Sequence, residues 1–168
     1  MRSPERVALL ETGRVVSLSV EGLEIEGVLD VGTGTGIFAE AFAASTRRVE
    51  GVDPDSGLLD VARRLVPAVT FREATAEKLP FAERSFDLVF FGHVLHETDD
   101  PVRALTEARR VARKRVMILE WPYREEEMGP PLAHRLAPSR VLALASAAGF
   151  GRAERIELAH MDLYRLEP

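Results

Sequence analysis

The sequence predicts an α/β protein: a doubly wound, mostly parallel sheet with helices on both faces. Three observations lead there. Short apolar runs alternate along the chain with segments of helical spacing. One such run, Val28-Leu29-Asp30-Val31, passes straight into a turn carrying Gly32, Gly34 and Gly36. A second, Val49 to Asp53, ends in an acid 21 residues beyond Gly32. At 168 residues the chain is one domain, long enough to bury a core without disulfides or structural metal.

The glycine turn organises the reading. Val28, Leu29 and Val31 suit a strand covered on both faces, and the glycines let the backbone turn sharply and approach a ligand. In such a unit ligands bind outside the carboxyl ends of the strands. A dinucleotide fingerprint wants a small residue at position 37, where this chain has Ile37. Asp30 would also sit close to anionic phosphates, whereas a ligand with an ammonium group would be drawn to it. Both features point away from nicotinamide cofactors. An acid at the spacing of Asp53 can accept the two hydroxyls of a ribose.

Taken in order, Ser3 and Pro4 read as a helix start, and Gly13 to Gly27 leaves strand and helix both open. Ile37, Phe38, Ala41, Phe42 and Ala44 form a helical stripe. After the second strand, Asp55 and Ser56 cap a helix whose buried side is Leu58, Leu59, Ala62 and Leu65. Val69 to Arg72 is a third strand and Phe86 to Phe91 a fourth, ending in Gly92-His93. Asp100 and Pro101 then open a helix, at whose end Arg109, Arg110, Arg113, Lys114 and Arg115 read as a solvated face. Val116 to Glu120 is a fifth strand. The long connection from Trp121 to Ala137 precedes a helix from Pro138 to Ala148, stopped by Gly149. Arg152 to Leu158 and Met161 to Leu166 alternate as two last strands.

Composition excludes several functions. Without cysteine there is no disulfide, thiolate nucleophile or cysteine-ligated zinc, and no spaced His/Asp/Glu cluster predicts any metal. A net charge of −5 argues against general nucleic-acid binding, though it permits a local basic patch. No apolar run nears the roughly 18 residues of a membrane helix, and the polar amino end is unlike a signal peptide. The expectation is a soluble, cytoplasmic protein with a small-molecule substrate.

Five stretches together resemble a class I S-adenosylmethionine-dependent methyltransferase of the ubiquinone/menaquinone-biosynthesis branch. They are Leu29 to Gly36, Val52-Asp53-Pro54, Ala76 to Phe81, Ser85 to Val89, and Val94-Leu95-His96-Glu97. The resemblance is close from Val28 to Arg115 and looser beyond. It implies a Rossmann-like sheet of seven strands with the last antiparallel, and S-adenosylmethionine as cofactor with S-adenosylhomocysteine as product. By that likeness Gly32, Thr33, Gly34 and Gly36 approach the methionine and ribose portions, Asp30 orients the ammonium end, and Asp53 with Pro54 holds the ribose. Thr75 and Ala76 would touch the adenine, and Gly92 would face the methionine portion.

The chain departs from the family pattern in two places. The usual Gly-Asp is Ala74-Thr75, which replaces a carboxylate near the adenine by a hydroxyl. The usual Lys-Pro-Gly-Gly turn is Arg113-Lys114-Arg115, which shortens the loop before the fifth strand. The expected division is residues 1–27 as a helical cap, 28–120 as cofactor-binding core, 121–137 as a candidate substrate loop, and 138–168 as the last helix and strands.

His96 and His93 are the candidate general bases, needed only where the acceptor must lose a proton. Tyr123, His134 and Arg135 are candidate substrate contacts, Arg135 for a carboxylate or phosphate. Two other classes remain open at this point: a cofactor-binding scaffold or sensor without catalysis, and a nucleotide-dependent oxidoreductase.

Overall fold

The computed structural model describes residues 8–168, so the helix start expected at Ser3 and Pro4 lies outside the described residues. The open segment is helical, α1 (Thr12–Val20). There follow β1 (Gly27–Val31), α2 (Ile37–Ala43), β2 (Arg48–Asp53), α3 (Ser56–Leu65), β3 (Thr70–Glu73) and β4 (Phe86–Gly92). The chain continues through α4 (Pro101–Val111), β5 (Ala112–Glu120), α5 (Pro138–Ala147), β6 (Arg152–Glu157) and β7 (Asp162–Glu167). Seven strands form one sheet in the order β3-β2-β1-β4-β5-β7-β6. β1 to β5 run parallel, and β7 lies antiparallel between β5 and β6, as the resemblance implied.

Every residue of β1 is buried, which is why its sequence is apolar apart from Asp30. One face packs Val28, Leu88, Phe90 and Met117 against Val15, Phe38, Phe42 and Leu59 of α1, α2 and α3. The other sets Leu29, Val89, Phe91 and Ile118 against Leu105, Ala108, Val141 and Leu144 of α4 and α5. Because β1, β2, β4 and β5 are parallel, Val31, Asp53, Gly92 and Glu120 all arrive at the same edge of the sheet.

Two helical expectations change. In α3, Leu59 and Ala62 are buried, but Leu58 and Leu65 are 38% and 49% exposed, because that helix covers the sheet with a narrower stripe. Only part of the basic run is a helix end: Arg109 and Arg110 occupy the last turn of α4, with Arg109 exposed. α4 stops at Val111 and Ala112 is already extended, so Arg113, Lys114 and Arg115 belong to β5 and no loop intervenes. Arg113 and Lys114 lie 3.3 and 3.5 Å from the carboxylate of Asp87. Arg115 is buried and donates to the carbonyls of Ser19 and Glu21, satisfying acceptors at the end of α1.

Gly51, in the middle of β2, joins the fold to the turn. A Cβ there would come within 2.7 Å of the Phe71 ring and 2.9 Å of Thr33 Oγ1. Gly51→Ala is therefore expected to cost about 1–3 kcal/mol in denaturant unfolding, as overpacking does. Gly13→Ala, in open space on α1, should instead stabilise by about 0.5–1 kcal/mol. Equal effects at the two positions would contradict this packing.

Candidate active site

Gly32, Gly34 and Gly36 all have positive φ, at 65°, 53° and 79°, a conformation that other residues adopt only with strain. Two carboxylates hold the turn. Asp30 Oδ2 accepts from the Thr33 hydroxyl at 2.6 Å and from the Ala39 N–H at 3.0 Å, tying the end of β1 to the start of α2. Asp53 Oδ2 accepts from the Gly34 N–H at 2.9 Å and its Oδ1 from the Asp55 N–H at 2.9 Å. Asp55 caps α3, accepting from the Leu58 N–H, so Asp53 is not needed for that purpose. Burial pushes the Asp30 carboxyl up to about 7, against the two hydrogen bonds it accepts and with the neighbouring charge of Asp53 adding to the rise.

A cavity of about 790 Å³ opens at this edge of the sheet. Its near wall is Gly32, Gly34, Asp53 and Pro54; Leu58, Ala74, Thr75 and Ala76 form one end and Gly92, His93, Val94, His96 and Trp121 the other. A smaller chamber of about 210 Å³ shares Gly32, Gly34, Leu58, Gly92 and His93 with it, and adds Asp30, Thr33, Leu10 and Phe38. Of the expected cofactor residues, only Gly36 lines neither chamber. A Cβ at Gly36 would stand 3.2 Å from Phe71, so its smallness serves helix-to-sheet packing. Gly34 is the opposite case: a Cβ there meets nothing within 4 Å, leaving its backbone open to the cavity.

His96 is the middle residue of a short turn after β4, Leu95–Glu97, and its side chain is 6% exposed. Its Nδ1 lies 2.8 Å from Glu120 Oε2, and its backbone N–H donates to Glu120 Oε1 at 3.2 Å. Burial disfavours a charged ring, but the hydrogen bond and charge of Glu120, with Glu97 behind them, outweigh it and hold the His96 pKa above the ordinary histidine value. His93 has φ 61° and stacks on Trp121 at 5.0 Å, with Nε2 3.2 Å from Met161 Sδ.

The three expected substrate contacts do not line the cavity. Tyr123 is 50% exposed and His134 is exposed. Arg135 is buried because its guanidinium organises the 121–137 connection, donating to the carbonyls of Pro122, Arg124, Pro130 and Met128. Those bonds occupy the donors that an anionic substrate would need. Trp121 and Pro130, from the same connection, do line the cavity.

Sequence reasoning missed Leu10, Leu58 and Glu120. Glu120 had a readable signal: it is a lone acid ending the buried apolar run Val116 to Leu119. Among the described residues no three His, Asp or Glu side chains are grouped to hold a metal.

The raised pKa of Asp30 has a definite sign. The native state holds this proton more tightly than the unfolded chain, so the group's contribution is full below about 3.8 and is lost as pH rises to about 7. Asp30→Asn, which can still accept both hydrogen bonds, should flatten the pH dependence of the melting temperature over that window. An unchanged slope would show that Asp30 titrates elsewhere.

Comparison with known proteins agrees with this geometry. Residues 29–119 match the family model described as a methyltransferase domain. Demethylmenaquinone methyltransferase of Renibacterium salmoninarum is 32% identical over 117 residues, covering 70% of this chain and 49% of that protein. The Chlorobaculum parvum enzyme of the same name is 35% identical over 106 residues, covering 60% of this chain and 44% of that one. The chain thus spans about half the length of the curated relatives it matches. In fold, it superposes on a SAM-dependent methyltransferase from Aquifex aeolicus with TM-score 0.89 at 24% identity, over 98% of this chain and 93% of that one. A seven-stranded sheet with β7 reversed, a glycine turn and a strand-end acid at one cavity, and a family match over more than half its length make this chain a member of the class I S-adenosylmethionine-dependent methyltransferases.

Proposed function

We infer that the chain transfers a methyl group from S-adenosylmethionine to a small-molecule acceptor that carries no negative charge. The observation that carries this reading is one continuous cavity, running from Asp53 and the glycine turn to His96 and Trp121.

The residues present suit the cofactor. Asp53 borders the cavity with lone pairs left for ribose hydroxyls after its two backbone bonds. Leu58, 38% exposed, offers an apolar face beside Ala74, Thr75 and Ala76, where a purine fits. The Thr75 hydroxyl, in place of the family carboxylate, gives a weaker contact there. Asp30 borders the smaller chamber, and an ammonium group beside it would restore its charge. When bound, S-adenosylmethionine supplies a methyl group already made electrophilic by its sulfonium. The protein's part is to align acceptor and methyl and to exclude water. Trp121, Pro130 and the stacked His93 are placed for that.

The acceptor's charge follows from the lining. Among the described residues the larger cavity presents Asp53, Asp55, Glu77, Glu97 and Asp99, and no lysine or arginine. A carboxylate or phosphate acceptor would meet repulsion from five acids, with only His96 and the cofactor's sulfonium against it. Two relatives are named demethylmenaquinone methyltransferases, which supports a small-molecule acceptor.

Titration calorimetry should show binding of S-adenosylmethionine and S-adenosylhomocysteine and none of NAD, with Asp53→Asn weakening both adenosyl ligands about 10-fold or more. With S-adenosylhomocysteine release as readout, hydroxyarenes or amines should turn over and aromatic carboxylates should not. Binding of NAD alone would overturn the cofactor assignment. Turnover confined to carboxylates would overturn the acceptor class, and tight cofactor binding with transfer to no acceptor would favour a scaffold or sensor.

A further inference from the structure

Glu120 is an unusual residue to end a buried strand. The four residues before it, Val116 to Leu119, are apolar and fully buried, and Glu120 itself is 1% exposed. A carboxylate carried so far from water costs several kcal/mol unless hydrogen bonds repay it. Here both oxygens serve one residue, Oε1 the backbone N–H of His96 and Oε2 its ring Nδ1. Sheet formation does not require the acid, since the backbone of Glu120 pairs in register with Asp162 of β7. A histidine buried only for packing would be content with one carbonyl; this one is gripped at backbone and ring by the same carboxylate.

The grip sets the tautomer. An ionised carboxylate only accepts, so Nδ1 carries the hydrogen and the lone pair of the neutral ring is at Nε2. Glu97 Oε1 lies 3.8 Å from that nitrogen. His96 borders the cavity beside Gly92, His93 and Trp121, the end opposite Leu58 and Thr75. Among the described residues, other charged or titratable groups around the pair are His93 in the same cavity, Arg135 from the 121–137 connection, Asp162 and Tyr164 from β7, and Arg155 from β6. Asp162 is held by Arg155 at 2.8 Å, so its charge is compensated locally.

We propose that His96 is the catalytic base of the transfer, that Glu120 is its positioning residue, and that the acceptor reacts through an O–H or N–H group. A lone pair on the acceptor oxygen or nitrogen forms the bond to the methyl carbon. The former methyl–sulfur pair remains on sulfur, which becomes a neutral thioether. The acceptor's proton goes to His96 Nε2, its bonding pair staying on the acceptor atom, and the imidazolium is stabilised by Glu120 until solvent takes the proton. This rests on the methyltransferase reading above and specifies which acceptors that reading admits.

The test is a pH–rate profile at saturating S-adenosylmethionine with catechol and aniline as acceptor probes. In the wild type kcat/KM should rise with pH through one ionisation above the ordinary histidine range, because the protonated ring cannot accept. His96→Gln should abolish that limb and lower the plateau about 10²–10⁴-fold. Glu120→Gln, which offers one oxygen where the carboxylate offers two, should move the limb to lower pH as well as lower the plateau. Dissociation constants for S-adenosylhomocysteine should stay within about twofold in both variants, which separates this outcome from failure of the cofactor site.

A constant loss at every pH in Glu120→Gln, with the limb unmoved, would reduce Glu120 to packing and overturn the proposal. Nitrogen-15 NMR of the His96 ring supplies a readout that needs no acceptor. Protonation at Nδ1 in the neutral ring, with a pKa that falls in Glu120→Gln, is expected. An Nε2-protonated neutral ring, or the same pKa in both proteins, would overturn the proposal even if neither probe is methylated.

Discussion

The structure depends on how two buried acids hold the turn between β1 and α2. Asp30 binds the Thr33 hydroxyl and the Ala39 N–H, while Asp53 reaches across from β2 to the Gly34 N–H. Those bonds join the ends of two strands to the start of a helix, and the glycines between them occupy a conformation that would otherwise be strained. Gly51 permits the close approach, since any side chain there would strike Thr33 and Phe71. A carboxylate is costly to bury, and Asp30, raised to about 7, bears that cost where a cationic ligand end would relieve it. Fold and binding site are thus parts of one arrangement.

The same logic recurs along the edge. Parallel strands deliver their last residues to one level, and three of those near the cavity end in acids or beside a histidine: β2 in Asp53, β5 in Glu120, and β4 in Gly92 before His93. Each polar group has a local partner that sets its direction, so the cavity is organised without a ligand. At one end apolar Leu58 and the Ala74 to Ala76 backbone surround the space; at the other, the Trp121 stack and the His96 and Glu120 pair do.

Much of this was legible from local pattern. Apolar runs placed the strands, Asp55 and Asp100 capped their helices as read, and the glycine turn and the spacing to Asp53 located the edge where the cavity lies. What escaped was set by packing between distant segments. The helical state of Thr12–Val20 is supported by Arg115 and Arg165, which bond its last carbonyls from strands almost a hundred or more residues away. Arg113 to Arg115 look like a helix end by composition, but Asp87 and the end of α1 draw them into β5. Arg135 read as an anion site because a charged side chain in a loop is expected in water; its four carbonyl partners come from a fold of the connection that no periodicity announces. Leu58 read as core because helical spacing does not reveal how wide a stripe the sheet covers.

The central claim is that the cavity is divided between cofactor and acceptor, with the adenosyl end at Asp53 and Leu58 and the acceptor before His96. A crystal structure of the chain with S-adenosylhomocysteine tests this most directly. The account predicts ribose hydroxyls on Asp53, the base against Leu58 and Thr75, the amino group toward Asp30, and the sulfur facing the space in front of His96. Density for the ligand in another orientation, with its sulfur turned away from His96 or its ribose away from Asp53, would contradict it.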